Sequence, residues 1–106
     1  MAISVGAVVR AEAGGGKRRP CVVLRLRLGD GALVVLAGTG TPRDLPRVVV
    51  EAGTRAWKAM RLDKDTYFYL PPLAFAEAEV EPTGGVCPPN KLQEMRELVG
   101  NVDPPG

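Results

Sequence analysis

Two β-rich runs flanking Gly29-Asp30-Gly31 constrain this fold more than any other part of the chain. Gly-Asp-Gly is strong hairpin chemistry, because its residues enter the left-handed turn region at little cost. Before it, Cys21–Leu28 puts Val22, Leu24, Leu26 and Leu28 on one face of a strand. Cys21, Val23, Arg25 and Arg27 take the other face, because successive side chains alternate across a strand. That second face begins apolar and ends cationic, so the strand is expected to start buried and emerge into water. After the turn, Ala32–Ala37 has no alternation. Leu33, Val34, Val35 and Leu36 describe a central strand covered on both faces.

The rest of the chain reads as further short strands and one helix. Val5–Arg10, Arg47–Glu51 and Thr66–Leu70 are rich in valine or aromatic residues and free of interior proline. Gly38–Pro46 is breaker-rich and reads as a loop, and Pro71-Pro72 ends the aromatic strand. Gly53–Asp65, with the single Trp57, stays ambiguous. From Ala74 to Glu81 small or apolar residues alternate with Phe75, Glu77, Glu79 and Glu81. This predicts one half-exposed strand whose acidic face points away from any polyanion. Asn90–Val99 predicts a helix, with Asn90 as its cap and Gln93 three residues on. Leu92, Met95, Leu98 and Val99 form its apolar stripe, and Gly100 is placed to end it. The expected fold is mainly β with one C-terminal helix: a small barrel or strongly bent sheet of antiparallel strands. It should occupy residues 1–100 as a single domain, with a frayed tail over 101–106.

Composition narrows the function. With 106 residues and 45% apolar content, the chain can bury one real core. No apolar run approaches membrane-spanning length, and Ile3–Val9 lacks the basic flank of a signal peptide, so a cytoplasmic protein is expected. Cys21 and Cys87 read as small buried hydrophobes. The absence of histidine removes the commonest general base and metal ligand. Zinc would need two cysteines plus scattered carboxylates, so neither a metal nor a cofactor is expected. Net charge is only +2, so a preference for nucleic acid must come from local clustering.

Such a cluster stands at Gly14-Gly15-Gly16-Lys17-Arg18-Arg19-Pro20. Three adjacent cations repel one another and suit an anionic partner; the plainer alternative is a solvated hairpin loop. Pro20 is expected to end the loop, with the following strand holding Arg19 rigidly while Lys17 and Arg18 stay mobile. The pattern is not a nucleotide-triphosphate loop, because Ala11 and Arg18 occupy positions that need glycine and Ser/Thr, and a strand follows. If the first four strands form a meander, loops Ala11–Pro20 and Gly38–Pro46 share one end of the sheet. Lys17, Arg18 and Arg19 would then face Thr39, Thr41 and Arg43. Asp63 and Asp65 could form an acid/base pair or hold magnesium, but charge complementation or a turn before the aromatic strand is the expected role.

These residues carry a family resemblance. Gly16-Lys17-Arg18-Arg19-Pro20-Cys21-Val22-Val23-Leu24 resembles the opening of the MazF/PemK toxin endoribonucleases of type II toxin–antitoxin systems. Leu33-Val34-Val35-Leu36-Ala37-Gly38-Thr39 is similar to the family's third strand, and Lys64-Asp65-Thr66-Tyr67 to its Asp-Ser/Thr segment. The terminal helix also falls where the family has one. The resemblance implies an SH3-like barrel, a homodimer, and metal-independent cleavage of single-stranded RNA. It further implies neutralisation by an antitoxin peptide lying over the RNA groove. Carried over by position, Arg19 and Thr39 become the catalytic pair, and Lys17, Arg18, Arg43 and Thr41 guide RNA. Thr41 remains a rival to Thr39 for the family hydroxyl. The chain departs from the family at Pro71-Pro72-Leu73-Ala74, where many members carry Gln-Ile-Arg.

RNA cleaved through its own 2′-hydroxyl needs no protein nucleophile and no metal. It needs the phosphate held in line and its growing charge stabilised. An anchored guanidinium suits that role, and Asp44 or Glu12 are positional choices for the base. Two alternatives stand beside the nuclease: an inert SH3-like barrel that binds RNA or a peptide, and a purely structural interaction module.

Overall fold

The computed structural model describes residues 3–105. Seven strands run in the order β1 (Ala7–Glu12), β2 (Arg18–Leu26), β3 (Leu33–Thr39), β4 (Arg47–Val50), β5 (Thr66–Tyr69), β6 (Leu73–Phe75) and β7 (Glu81–Val86). A five-residue helix, α1 (Arg55–Ala59), precedes β5, and α2 (Pro89–Val99) ends the fold. All pairings are antiparallel. The spatial order is β4-β5-β3-β2-β1-β7, with β6 also on β3. The expected class, mainly β with one C-terminal helix, is what the chain adopts. The outer strands β4 and β7 do not pair with each other, so the sheet is open rather than a closed barrel.

β3 makes the sheet bend. Its first half, Leu33–Val35, pairs with β6, while Gly38 and Thr39 pair with Phe68 and Tyr67 of β5. One apolar strand thus serves two neighbours on the same edge, and its sequence shows no alternation because both faces are covered, Leu36 in one buried cluster and Leu33 and Val35 in the other. Val8, Val22, Leu36, Phe68, Met60 and Met95 are fully or almost fully buried between the sheet and α2. Val9, Cys21, Val23, Leu33 and Val35 pack on the opposite face against partly buried Leu73, Phe75 and Val80. Helix α2 buries Met95 and Val99, with Leu92 and Leu98 packed beside them, as the stripe requires. Gly100 closes it at φ 54°, donating its N–H to the Arg96 carbonyl.

Several expectations change. β2 begins at Arg18 rather than Cys21, because Glu12↔Arg18 and Ala11↔Arg19 continue the β1 ladder. Arg18 is therefore a strand residue and not part of a mobile loop. β2 also ends at Leu26, with a register shift between Val23 and Arg25, and both Leu26 and Leu28 face water. The first-four-strand meander breaks at β4, which pairs with β5 instead of β3. The alternating stretch Ala74–Glu81 is not one strand. β6 stops at Phe75, Glu77–Glu79 forms a 3-10 turn, and a new strand starts at Glu81. The Glu79 carboxylate accepts from Ala76 N–H at 2.7 Å, a local turn bond that competes with the extended form. Helix α2 starts at Pro89, with Pro88 as its cap and no side-chain capping bond, so Asn90 lies inside the first turn. Proline fits there because its fixed φ is already helical and the first N–H groups need no helical partner.

Candidate functional site

The β1–β2 and β3–β4 connections open at the same end of the sheet. Between them lies a cleft of about 370 Å³. Lys17, Arg18, Arg19, Thr39, Thr41 and Arg43 all line it, so the structure brings together every residue that the sequence reading placed there. It adds Arg10 from β1, and Asp63 and Lys64 from the segment before β5. The lining holds six cations (Arg10, Lys17, Arg18, Arg19, Arg43, Lys64) against one carboxylate, Asp63, a local charge of +5. With the whole chain at +2, everything outside the cleft sums to −3. The weak net charge thus hides a strong segregation, and such clefts focus potential on an anionic ligand.

Arg19 and Thr39 meet at the floor. Arg19 Nη1 donates to Thr39 Oγ1 at 3.0 Å. The same hydroxyl accepts from the Thr41 N–H at 3.3 Å. This geometry separates the two threonines. Thr39 is buried at the end of β3 and contacts the guanidinium, whereas Thr41 is exposed and contributes its backbone. Arg19 is half-buried; β1 pairs with it through Ala11, and the ladder with β3 begins two residues on, at Cys21. Pro20 stands one residue before β3 joins β2, where a strand tolerates a missing donor.

Gly38 lets this happen. A Cβ there would lie 2.5 Å from Thr66 Cγ2 and 2.8 Å from Phe68 Cε2, so only glycine allows β3 to approach β5 this closely. Lys64 reaches the cleft by packing over Gly40, where a Cβ would sit 2.6 Å from its Cε. Tyr69 clamps the far loop. Its hydroxyl accepts the Arg43 N–H and donates to the Arg43 carbonyl at 3.2 Å, while the Arg43 guanidinium lies 5.6 Å from the ring centroid. The sequence marks Tyr69, with Tyr67 and Phe68, as an aromatic strand residue able to stack on a base or to enter the core, and nothing local marks Arg10 or Lys64 as cleft residues.

Glu81 contradicts the expectation of an acidic face turned away. Through β7 it reaches the rim and pairs with Arg18 at 3.5 Å. Both side chains are more than half exposed, so the pair contributes at most about 1 kcal/mol. Asp65 serves structure, accepting the Ala52 N–H at 2.7 Å. Glu12 and Asp44 do not line the cleft, and Asp63 is its carboxylate. Cys21 lies beneath Arg19, and burial pushes its thiol up to about 12, partly opposed by the Ala11 backbone and Arg19. It stays a neutral thiol and is no nucleophile at ordinary pH. Among the described residues, no three His, Cys, Asp or Glu side chains gather as metal ligands, and no helix is long and apolar enough to cross a membrane.

A cationic floor around an Arg–Thr pair can bind a phosphodiester bidentately and stabilise charge growing on it. Compared with protein-family models, curated proteins and solved structures, the chain gave no match.

Proposed function

We propose that this protein is a MazF/PemK-type endoribonuclease that cleaves single-stranded RNA without a metal. The observation that carries the reading is the 3.0 Å Arg19–Thr39 bond at the floor of a cleft with six cations. In this mechanism the 2′-oxygen attacks the adjacent phosphorus, the bond to the 5′-oxygen breaks, and a 2′,3′-cyclic phosphate and a 5′-hydroxyl result. Arg19 holds two phosphate oxygens and offsets the negative charge that builds on them. Thr39 orients Arg19, and Lys17, Arg18, Arg43 and Lys64 track the backbone of the strand. Asp63 is the cleft group able to accept the 2′-hydroxyl proton, and solvent protonates the leaving oxygen. A homodimer and a neutralising antitoxin belong to the same proposal through the family resemblance.

A second reading is an RNA binder that does not cut. It is favoured by Pro71, which lies near Arg19 but brings no cation where the family pattern has one. One experiment separates the two: long single-stranded RNA is incubated with the protein in EDTA, and the fragment ends are sequenced. Cleavage with 5′-hydroxyl ends supports the nuclease. Salt-sensitive binding without cleavage leaves only the binder, and no binding removes both.

A further inference from the structure

The cationic cleft carries a carboxylate of its own at the rim. Glu81, the first residue of β7, stands opposite Arg10 in the β1–β7 ladder, where facing side chains are about 5 Å apart at Cβ. Its carboxylate lies 3.5 Å from Arg18 Nη1. The same nitrogen donates to the Arg10 carbonyl at 3.4 Å, so both contacts of the Arg18 guanidinium fall on the β1–β7 side. Among the described residues, Arg18 is the one cleft cation in an ion pair; Arg10, Lys17, Arg19, Arg43 and Lys64 form none. The contacts are long and the two side chains are 53% and 67% exposed, so the carboxylate is free to swing away. A guanidinium already facing a carboxylate must give up that partner to serve a phosphate.

We propose that Glu81 is an affinity-limiting counter-ion, which occupies Arg18 in the free protein and is displaced from it by an RNA phosphate. The inference rests on the RNA reading above and adds a regulating residue to it. The exchange replaces one charge-assisted contact of Arg18 by another, so its net gain is small and the strand stays releasable. An exposed pair is weak enough for this exchange, whereas a buried one would lock the guanidinium away. Once freed, the carboxylate draws a cation from solution, which offsets part of the counterion release that drives binding. Glu81 thus lowers both the affinity for RNA and its dependence on salt.

The test is fluorescence anisotropy of the full chain with a labelled single-stranded RNA whose 2′-hydroxyls are methylated, so that it binds without being cut. Glu81→Gln keeps the shape of the side chain and removes its charge. It should tighten binding by about two- to fivefold at low salt, the scale of one exposed ion pair. It should also steepen the log–log salt slope by up to ~0.7, one phosphate contact. Glu97→Gln, exposed on α2 and outside the cleft, makes the same change in net charge and is the control. In an Arg18→Gln background, Glu81→Gln should add no more than Glu97→Gln does. A Glu81→Gln effect no larger than the control's, or one that survives in full without Arg18, overturns the proposal and leaves the RNA reading standing. If neither the wild type nor Glu81→Gln binds the RNA, the RNA reading falls and the proposal falls with it.

Discussion

Replacing Thr39 by valine removes one oxygen and almost nothing else. Valine has the same branched shape and suits a strand, so β3 and its pairing with Tyr67 should persist. The lost Oγ1 is the acceptor for Arg19 Nη1 at 3.0 Å and for the Thr41 N–H at 3.3 Å. Each such bond has a net worth of about 1 kcal/mol, and more for a charged donor. Arg19 is half-exposed and Thr41 exposed, so water replaces most of it, and the buried methyl group offsets part of the rest. The net cost to folding should be about 1 kcal/mol or less, a fall in Tm of about 4–8 °C at most. The effect on chemistry should be larger. Arg19 would keep its charge but lose the contact that fixes its fork, and misplacement on the ångström scale costs up to about 10²-fold. We expect single-turnover cleavage of one RNA in EDTA to slow by about 10–10², mainly in kcat. Thr39→Ser should restore most of the rate, and Thr41→Val should leave it unchanged. A Thr39→Val protein that cleaves like wild type, or is slowed no more than Thr41→Val, would refute the positioning role.

Arg19→Ala should lower cleavage by about 10²–10³, with only partial recovery in Arg19→Lys, because an ammonium keeps the charge without the fork; single-turnover rates beside melting curves check this. RNA affinity should fall with salt at a log–log slope of roughly −0.7 per phosphate contact, and Lys17→Glu with Arg18→Glu should flatten it; fluorescence anisotropy across a salt series is the measurement. Gly38→Ala should destabilise by about 1–3 kcal/mol through overpacking against Thr66 and Phe68, read by urea unfolding. The hydrogen bond from Arg27 holds the Asp30 carboxyl at about 2, below its ordinary 3.8. Its stabilising effect is therefore present above pH ~4 and lost as pH falls towards 2. The Tm difference between wild type and Asp30→Asn should close over that window, and a constant gap would refute the linkage.

How legible the molecule was from its sequence depended on the range of the forces involved. Val22–Leu24 and Leu33–Leu36 announced themselves as strands because burial acts residue by residue and leaves a run of apolar side chains. The Arg27–Asp30 turn and the Gly100 helix end were readable because their hydrogen bonds close within a few residues. Leu92, Met95, Leu98 and Val99 gave the face of α2 through the helical repeat alone. β7 left no such trace. Glu-Pro-Thr-Gly-Gly-Val has neither alternation nor an apolar run, and it is a strand because β1 offers it a partner, with a register shift between Val8 and Val9. Gly85 is required there by the Met60 backbone close beside it, a contact 25 residues distant in sequence.

The site divides in the same way. The sequence by itself determined that cations cluster beside Arg19-Pro20, and that threonines follow the apolar run Leu33–Leu36 in a breaker-rich stretch; that the two would share one end of the sheet was an expectation resting on a meander of the first strands. It could do so because charge content and apolar runs are properties of short segments. Tertiary structure alone decided that Thr39 rather than Thr41 meets Arg19, that Arg10 and Lys64 join the cleft, and that Glu81 returns to Arg18. Each of these depends on strand register, and a slip of one residue turns a side chain to the opposite face. That register is fixed by the pairing of β3 with β5 and of β1 with β7, between residues that lie far apart in the chain and close together only once the core has formed.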